Sequence, residues 1–93
     1  MIISLSLDNH ALYHGLDIAV DAGKLNLRTP PEEAIAVMGR NLQSMAIDPD
    51  EVVLTGAMAI WAYLVVFHAL HGRTRRIWYE DGTGRRVLVA AHG

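Results

Sequence analysis

Ninety-three residues with no cysteine, 52% hydrophobic side chains and a formal charge of −2 fit one small domain. They exclude disulfides, a thiolate nucleophile, a zinc–thiolate site and a general nucleic-acid coat. So apolar a chain at this length predicts that part of its surface is buried between subunits. The apolar run Ala57–Phe67 spans 11 residues, whereas crossing a bilayer takes about 20. Met1–Leu7 has neither the charged start nor the cleavage site of a signal peptide. The expectation is a cytoplasmic protein with no membrane association.

In chain order, Met1–Leu7 alternates Ile, Ser and Leu and predicts a strand. Asp8-Asn9-His10 reads as a turn, and Leu16, Ile18 and Val20 as a second strand completing a hairpin. Residues 21–28 read as a loop. Thr29-Pro30-Pro31-Glu32 has capping-box spacing, with proline tolerated at a helix start. Ala34, Val37, Met38, Leu42 and Met45 carry a helical period to about Met45. Asp48-Pro49-Asp50 is a turn and Glu51–Thr55 a short apolar strand. Gly56 then turns the chain into the apolar helix, for which Gly72 is the expected C′ residue. Arg76–Tyr79 is a strand, Asp81-Gly82-Thr83-Gly84 a hairpin turn and Arg85–Ala91 the last strand. The predicted fold is a single α/β domain over residues 1–93, a sandwich ordered β-β-α-β-α-β-β. It has a mixed sheet and one right-handed parallel crossover between Glu51 and Glu80.

Chemistry concentrates in Gly56–His92. Residues 1–55 hold eight acids and three bases, and residues 56–93 five arginines and two acids. Arg73, Arg75, Arg76, Arg85 and Arg86 could grip phosphate through guanidinium forks, or keep strand edges soluble. His68 and His71, spaced i, i+3, suit an acid/base or metal pair, and equally suit capping of a helix C-terminus. Glu80 and Asp81 close a strand, where ligand-binding residues of α/β folds often sit. Asp81 reads better as turn chemistry, which leaves Glu80 as the functional candidate. Gly56 could bring backbone N–H groups to a phosphate, or simply permit a sharp turn. Trp61 reads as core and Trp78 as core or interface. Ser4, Ser6 and Ser44 lack any nucleophile-elbow or triad context.

The block Gly56, Ile60-Trp61, His68-x-x-His71, Tyr79-Glu80, Gly84, Val87-Leu88-Val89 and His92 resembles the small CRISPR-associated proteins of the Csx-three type. These are stand-alone ring nucleases that degrade cyclic tetra-adenylate. The resemblance covers about 40% of the chain (37 of 93 residues). It implies a hydrolase of antiviral defence that cleaves cyclic oligoadenylate and switches off a type III CRISPR signal. It implies a catalytic group of His71, Glu80 and His68, with Gly56, Arg75, Arg76, Arg85, Arg86 and His92 as ligand-binding residues. It also implies manganese held by His68, His71 and Glu80, and self-association to a dimer or tetramer. The sequence departs from the family pattern at Glu80, where the family has Asp, and at Gly82, where its turn arginine falls. His92 also stands one residue later after Gly84 than the pattern expects. A module that binds a cyclic oligonucleotide without cutting it and a purely structural oligomeric subunit are the alternatives.

Strand length adds a geometric expectation. Five residues span roughly 16 Å, so His71, before the strand, and Glu80, at its end, lie too far apart to act together within one subunit. A shared ligand requires a second subunit.

Overall fold

The computed structural model describes Met1 to His92, and its architecture is the expected α/β sandwich with a mixed sheet. The central strand shows why. Glu51–Thr55 (β4) is a Val-Val-Leu run whose three middle residues are all buried, as expected where parallel strands lie on both sides. It pairs in parallel with Ile2–Ser4 (β1) on one side and with Arg76–Glu80 (β5) on the other. Arg86–Ala91 (β6) closes the four-stranded sheet antiparallel to β5, giving the order β1-β4-β5-β6. The β5–β6 ladder carries a bulge: Trp78 faces Leu88 but Ile77 faces Ala90, so Val89 is the extra residue.

The N-terminal third differs from the expected hairpin. After β1 the chain makes one helical turn, His10–Tyr13 (α1). Ile18–Asp21 (β2) then pairs with Lys24–Leu27 (β3), in a stretch expected to be loop, rather than with β1. Asn9 supplies the local reason: its side-chain amide donates to the Ser4 carbonyl at 2.6 Å, and its own carbonyl accepts from Leu12 and Tyr13 N–H. Leu12 and Tyr13 thereby enter the core, where the Tyr13 hydroxyl donates to the Leu5 carbonyl; burial pushes that phenol up to about 12. The β2–β3 turn is made by Ala22 and Gly23, both at positive φ (50° and 76°), the backbone of a two-residue hairpin connection.

Pro31–Ser44 (α2) begins without the expected capping box. Pro31 holds Pro30 extended (ψ 146°), so the helix starts after it. Thr29 falls outside the cap position, and its hydroxyl instead accepts from Asp17 N–H at 2.8 Å. Ile60–Leu70 (α3) ends as expected, with Gly72 at φ 88°. The helices share one core with one sheet face: Ile3, Leu5, Val52, Leu54 and Ile77 pack with Met38 and Leu42 of α2 and with Ala62, Val66 and Leu70 of α3. The opposite sheet face carries Ile2, Val53, Trp78 and Leu88 in one row, with no helix over it. No helix among the described residues is long and apolar enough to cross a membrane.

Candidate functional site

The candidate residues divide between the two ends of the sheet. Because β1, β4 and β5 are parallel, their carboxyl ends Ser4, Thr55 and Glu80 lie at one edge. His71 precedes β5 and lies at the other.

At the carboxyl edge, Thr55 donates its hydroxyl to the Glu80 carbonyl at 3.0 Å. Glu80 accepts from Arg86 Nε at 2.9 Å. Gly56 follows at φ 103°, and a Cβ there would stand 2.8 Å from Ser6 Oγ and 2.9 Å from both Ser4 Oγ and the Ser6 backbone nitrogen. Glycine is therefore required twice, by conformation and by space. Asp81 is turn chemistry: one carboxylate oxygen accepts from Thr83 N–H (2.9 Å), the Thr83 hydroxyl (2.6 Å) and Arg85 N–H (3.1 Å). These bonds, led by the Thr83 hydroxyl, hold its carboxyl below the usual carboxylate range.

At the amino edge two imidazoles meet. His71 and His92 stand edge to face, ring centres 4.4 Å apart and planes at 85°. The backbone fixes both. His71 is the C-cap of α3, with extended dihedrals (φ −60°, ψ 121°), and His92 N–H donates to the Arg75 carbonyl at 2.6 Å. Both rings are exposed. This pairing was readable only in part: a regular hairpin turning at 81–84 brings Ala90 opposite Arg76, and the bulge, which spacing does not announce, puts Ala91 there and His92 beside His71.

His68 and His71 do not act as a pair. Helical spacing puts i and i+3 on one face only while the helix continues, and it stops at Leu70. His68 stays on the helix and lines a shallow groove with Ile35 and Gly39 of α2, whereas His71 turns to Phe67 and His92. Together with Glu80 at the far edge, the three expected metal ligands are not assembled within one chain. Among the described residues no group of three or more His, Asp or Glu is placed to hold a metal ion. The residues of one subunit thus do not fit the implied manganese.

The arginines separate by role. Arg73 is structural: its two terminal nitrogens donate to the carbonyls of Leu42 (2.8 Å) and Met45 (2.9 Å), capping α2. Arg76 lies 3.4 Å from Glu51 and Arg86 is engaged by Glu80. Glu51 also accepts from the Trp78 indole N–H at 2.6 Å. Arg75 beside the histidines and Arg85 beside Glu80 are exposed and form no ion pair among the described residues.

Comparison with known protein families, with characterised proteins and with solved structures returns no match for this chain.

Proposed function

We propose that this protein is a ring nuclease acting on cyclic oligoadenylate, the tetra-adenylate ring being the expected substrate, and that its reacting groups are the paired histidines. The observation that carries the reading is the edge-to-face packing of His71 on His92, ring centres 4.4 Å apart, with Arg75, whose backbone carbonyl accepts from His92 N–H, exposed and in no ion pair among the described residues. Breaking an RNA phosphodiester with its own 2′-hydroxyl needs a base and an acid on either side of one phosphorus. The 2′-oxygen gives its proton to one imidazole and bonds to phosphorus. The 5′-oxygen leaves and takes a proton from the other, imidazolium, ring. The products are a 2′,3′-cyclic phosphate and a 5′-hydroxyl, with no net proton change. Two neighbouring histidines supply both roles near neutral pH, and an arginine stabilises the charge gathering on the phosphoryl oxygens. Resemblance over Gly56–His92 supplies the substrate class. Glu80 and Arg86, at the opposite sheet edge, reach the same phosphate only from a neighbouring subunit. Self-association to a dimer or larger assembly, in the cytoplasm where such second messengers act, belongs to this proposal. No step is routed through manganese.

A second reading is favoured by one specific feature. Glu80 is already held by Arg86, and Gly82 stands where the family pattern has an arginine; both suit a module that binds the ring without cutting it.

Incubation with a panel of cyclic oligoadenylates, resolved by chromatography with and without added manganese, separates the two. Linear products that vanish in His71→Ala and His92→Ala support the nuclease. A rise in melting temperature with the ring left intact supports the binder, and neither response removes both readings.

A further inference from the structure

The turn between β1 and β2 brings two further imidazoles together. His10 opens α1 and His14 caps it, and their ring centres lie 5.6 Å apart with the planes inclined at 37°. The cause is local. His14 N–H donates to the His10 carbonyl at 2.9 Å, closing the helical ring that stacks residues i and i+4. The same closure sets His71 against Phe67 at the end of α3. Both rings of the turn are exposed. Neither takes part in a side-chain hydrogen bond or an ion pair among the described residues.

Four residues do not hold a helix by themselves, so the turn is fixed from inside. Leu12 and Tyr13 are buried, and the Tyr13 hydroxyl donates to the Leu5 carbonyl. The Asn41 side-chain amide reaches across from α2 and donates to the carbonyls of Leu12 (2.8 Å) and His14 (3.0 Å). Asn41 is 5% exposed. A buried amide is thus committed to the backbone that carries the two histidines, which is how a ligand pair is held in place before its ligand arrives.

We infer that His10 and His14 form a two-imidazole chelate for a divalent transition-metal ion, with Cu²⁺ bound most tightly and Ni²⁺ and Zn²⁺ more weakly. Three observations support a shared ion. The first is geometric. A metal about 2.1 Å from one nitrogen of each ring stands roughly 3.2 Å from each ring centre. Centres 5.6 Å apart then subtend roughly 120° at the ion, close to the tetrahedral angle, and the soft terminal torsion of histidine lets each nitrogen turn toward it. The second is charge. Residues 1–23 hold Asp8, Asp17 and Asp21 and no lysine or arginine, a surrounding that suits a cation and not a phosphate. The third is that capping α1 needs one imidazole, whereas two protonated rings side by side repel; a shared ion keeps both neutral and together. No third His, Asp or Glu among the described residues joins them, so water completes the coordination. An imidazole pair follows the usual order of divalent ions, with Cu²⁺ at its head, and is a poor host for Mg²⁺ and Ca²⁺, which take oxygen. The pair lies outside Gly56–His92 and does not rest on the nuclease reading.

Titration calorimetry with Cu²⁺, Ni²⁺, Zn²⁺ and Mg²⁺, each alone and without nucleotide, tests this. The background is the His71→Ala/His92→Ala variant, because that exposed pair could also take metal. It should bind one equivalent of Cu²⁺, Ni²⁺ and Zn²⁺ less tightly, and Mg²⁺ not at all. Adding His10→Ala or His14→Ala should weaken Cu²⁺ binding by at least about tenfold, the least that loss of even an outer-shell partner typically costs. Adding His68→Ala should change nothing. Free Zn²⁺ at 100 times its measured Kd should raise the ratio of folded to unfolded chain about 100-fold, read as a higher melting temperature, and His10→Ala should remove that rise. Should an alanine variant fail to fold, line broadening of the imidazole proton resonances by substoichiometric Cu²⁺ in the folded background answers the same question. His10 and His14 should broaden before His68. The proposal is overturned by no Cu²⁺ binding in the background, by binding that survives both His10→Ala and His14→Ala, by its loss in His68→Ala, or by His68 broadening first. A melting temperature lowered by Zn²⁺ would also overturn it, since the tighter site would then belong to the unfolded chain.

Discussion

Arg73 and Arg75 are two residues apart, both cationic, and predicted to differ sharply when replaced by methionine. Methionine keeps a long apolar stem and removes the guanidinium, so packing is held roughly constant. In Arg73→Met two charge-assisted bonds disappear, to the carbonyls of Leu42 and Met45 at the end of α2. Hydrogen bonds to charged groups contribute about 1.5–3 kcal/mol each. Arg73 is only half-buried, so water replaces part of that when the carbonyls are freed. Loss of the cation at the helix C-terminus adds about 0.3–1 kcal/mol. The expected destabilisation is about 2–3 kcal/mol, which for a domain of this size lowers the melting temperature by roughly 10–20 °C. Arg75→Met, exposed and without an ion pair among the described residues, should stay within about 0.5 kcal/mol of wild type. Urea unfolding followed by circular dichroism, with the slope checked for constancy, measures both. If the two variants have equal midpoints, the assignment of Arg73 as the cap of α2 is wrong.

His71→Ala and His92→Ala should each lower single-turnover ring cleavage by about 10²–10⁴-fold with unchanged thermal unfolding; full activity in either removes that ring from the pair. Mixing inactive His71→Ala with inactive Glu80→Ala should restore activity in a concentration-dependent way, and no recovery despite proven subunit exchange would count against a site shared between chains. Gly56→Ala should cost about 1–3 kcal/mol in unfolding experiments, because φ 103° is strained for alanine and the Ser6 backbone nitrogen it meets cannot swing aside. Asp81 is held ionised by its turn, so its folded carboxyl titrates below its unfolded one. The stability it adds is full above the unfolded value and fades as pH falls through the folded one; the gap in melting temperature between wild type and Asp81→Ala should therefore be present at pH 7 and shrink as pH falls below the ordinary aspartate value of about 3.9, and a gap independent of pH would refute this.

Much of the C-terminal half was legible because its signals are local. Gly56, Gly72 and the Asp81–Gly84 turn delimit β4, α3, β5 and β6, and the apolar β4 run reads as a short strand, whose central place in the sheet the structure supplies. The N-terminal third was not legible for a physical reason: the alternation Leu16, Ile18, Val20 says that a strand exists but not which strand pairs with it. Burial of Leu12 and Tyr13, a tertiary effect, diverts the chain away from β1, and the Ala22-Gly23 turn chooses β3 as partner. The capping box failed because Pro31 acts on Pro30 before Thr29 can act on the helix. At the site, the separation of His71 from Glu80 follows from strand length alone, and the ladder puts His92 and Arg86 at opposite ends of β6. What spacing could not say was where the His71 ring points, since its conformation belongs to the C-cap and not to the helix. His68 was paired with it on a periodicity that ends one residue too early.

The bulge at Val89 acts as a spacer that sets the phase of the last strand. Downstream of Trp78–Leu88, each residue of β6 is delayed by one position and its side-chain direction reversed relative to a regular ladder. Deleting Val89 would restore a regular ladder in which Ala90 still faces Ile77 and the His92 ring stays beside His71, whereas pairing Val89 with Ile77 in place of the bulge would shift His92 about 3.3 Å along the strand and turn its ring to the other face. The extra residue and the bulge that absorbs it cancel, and the ring arrives beside its partner.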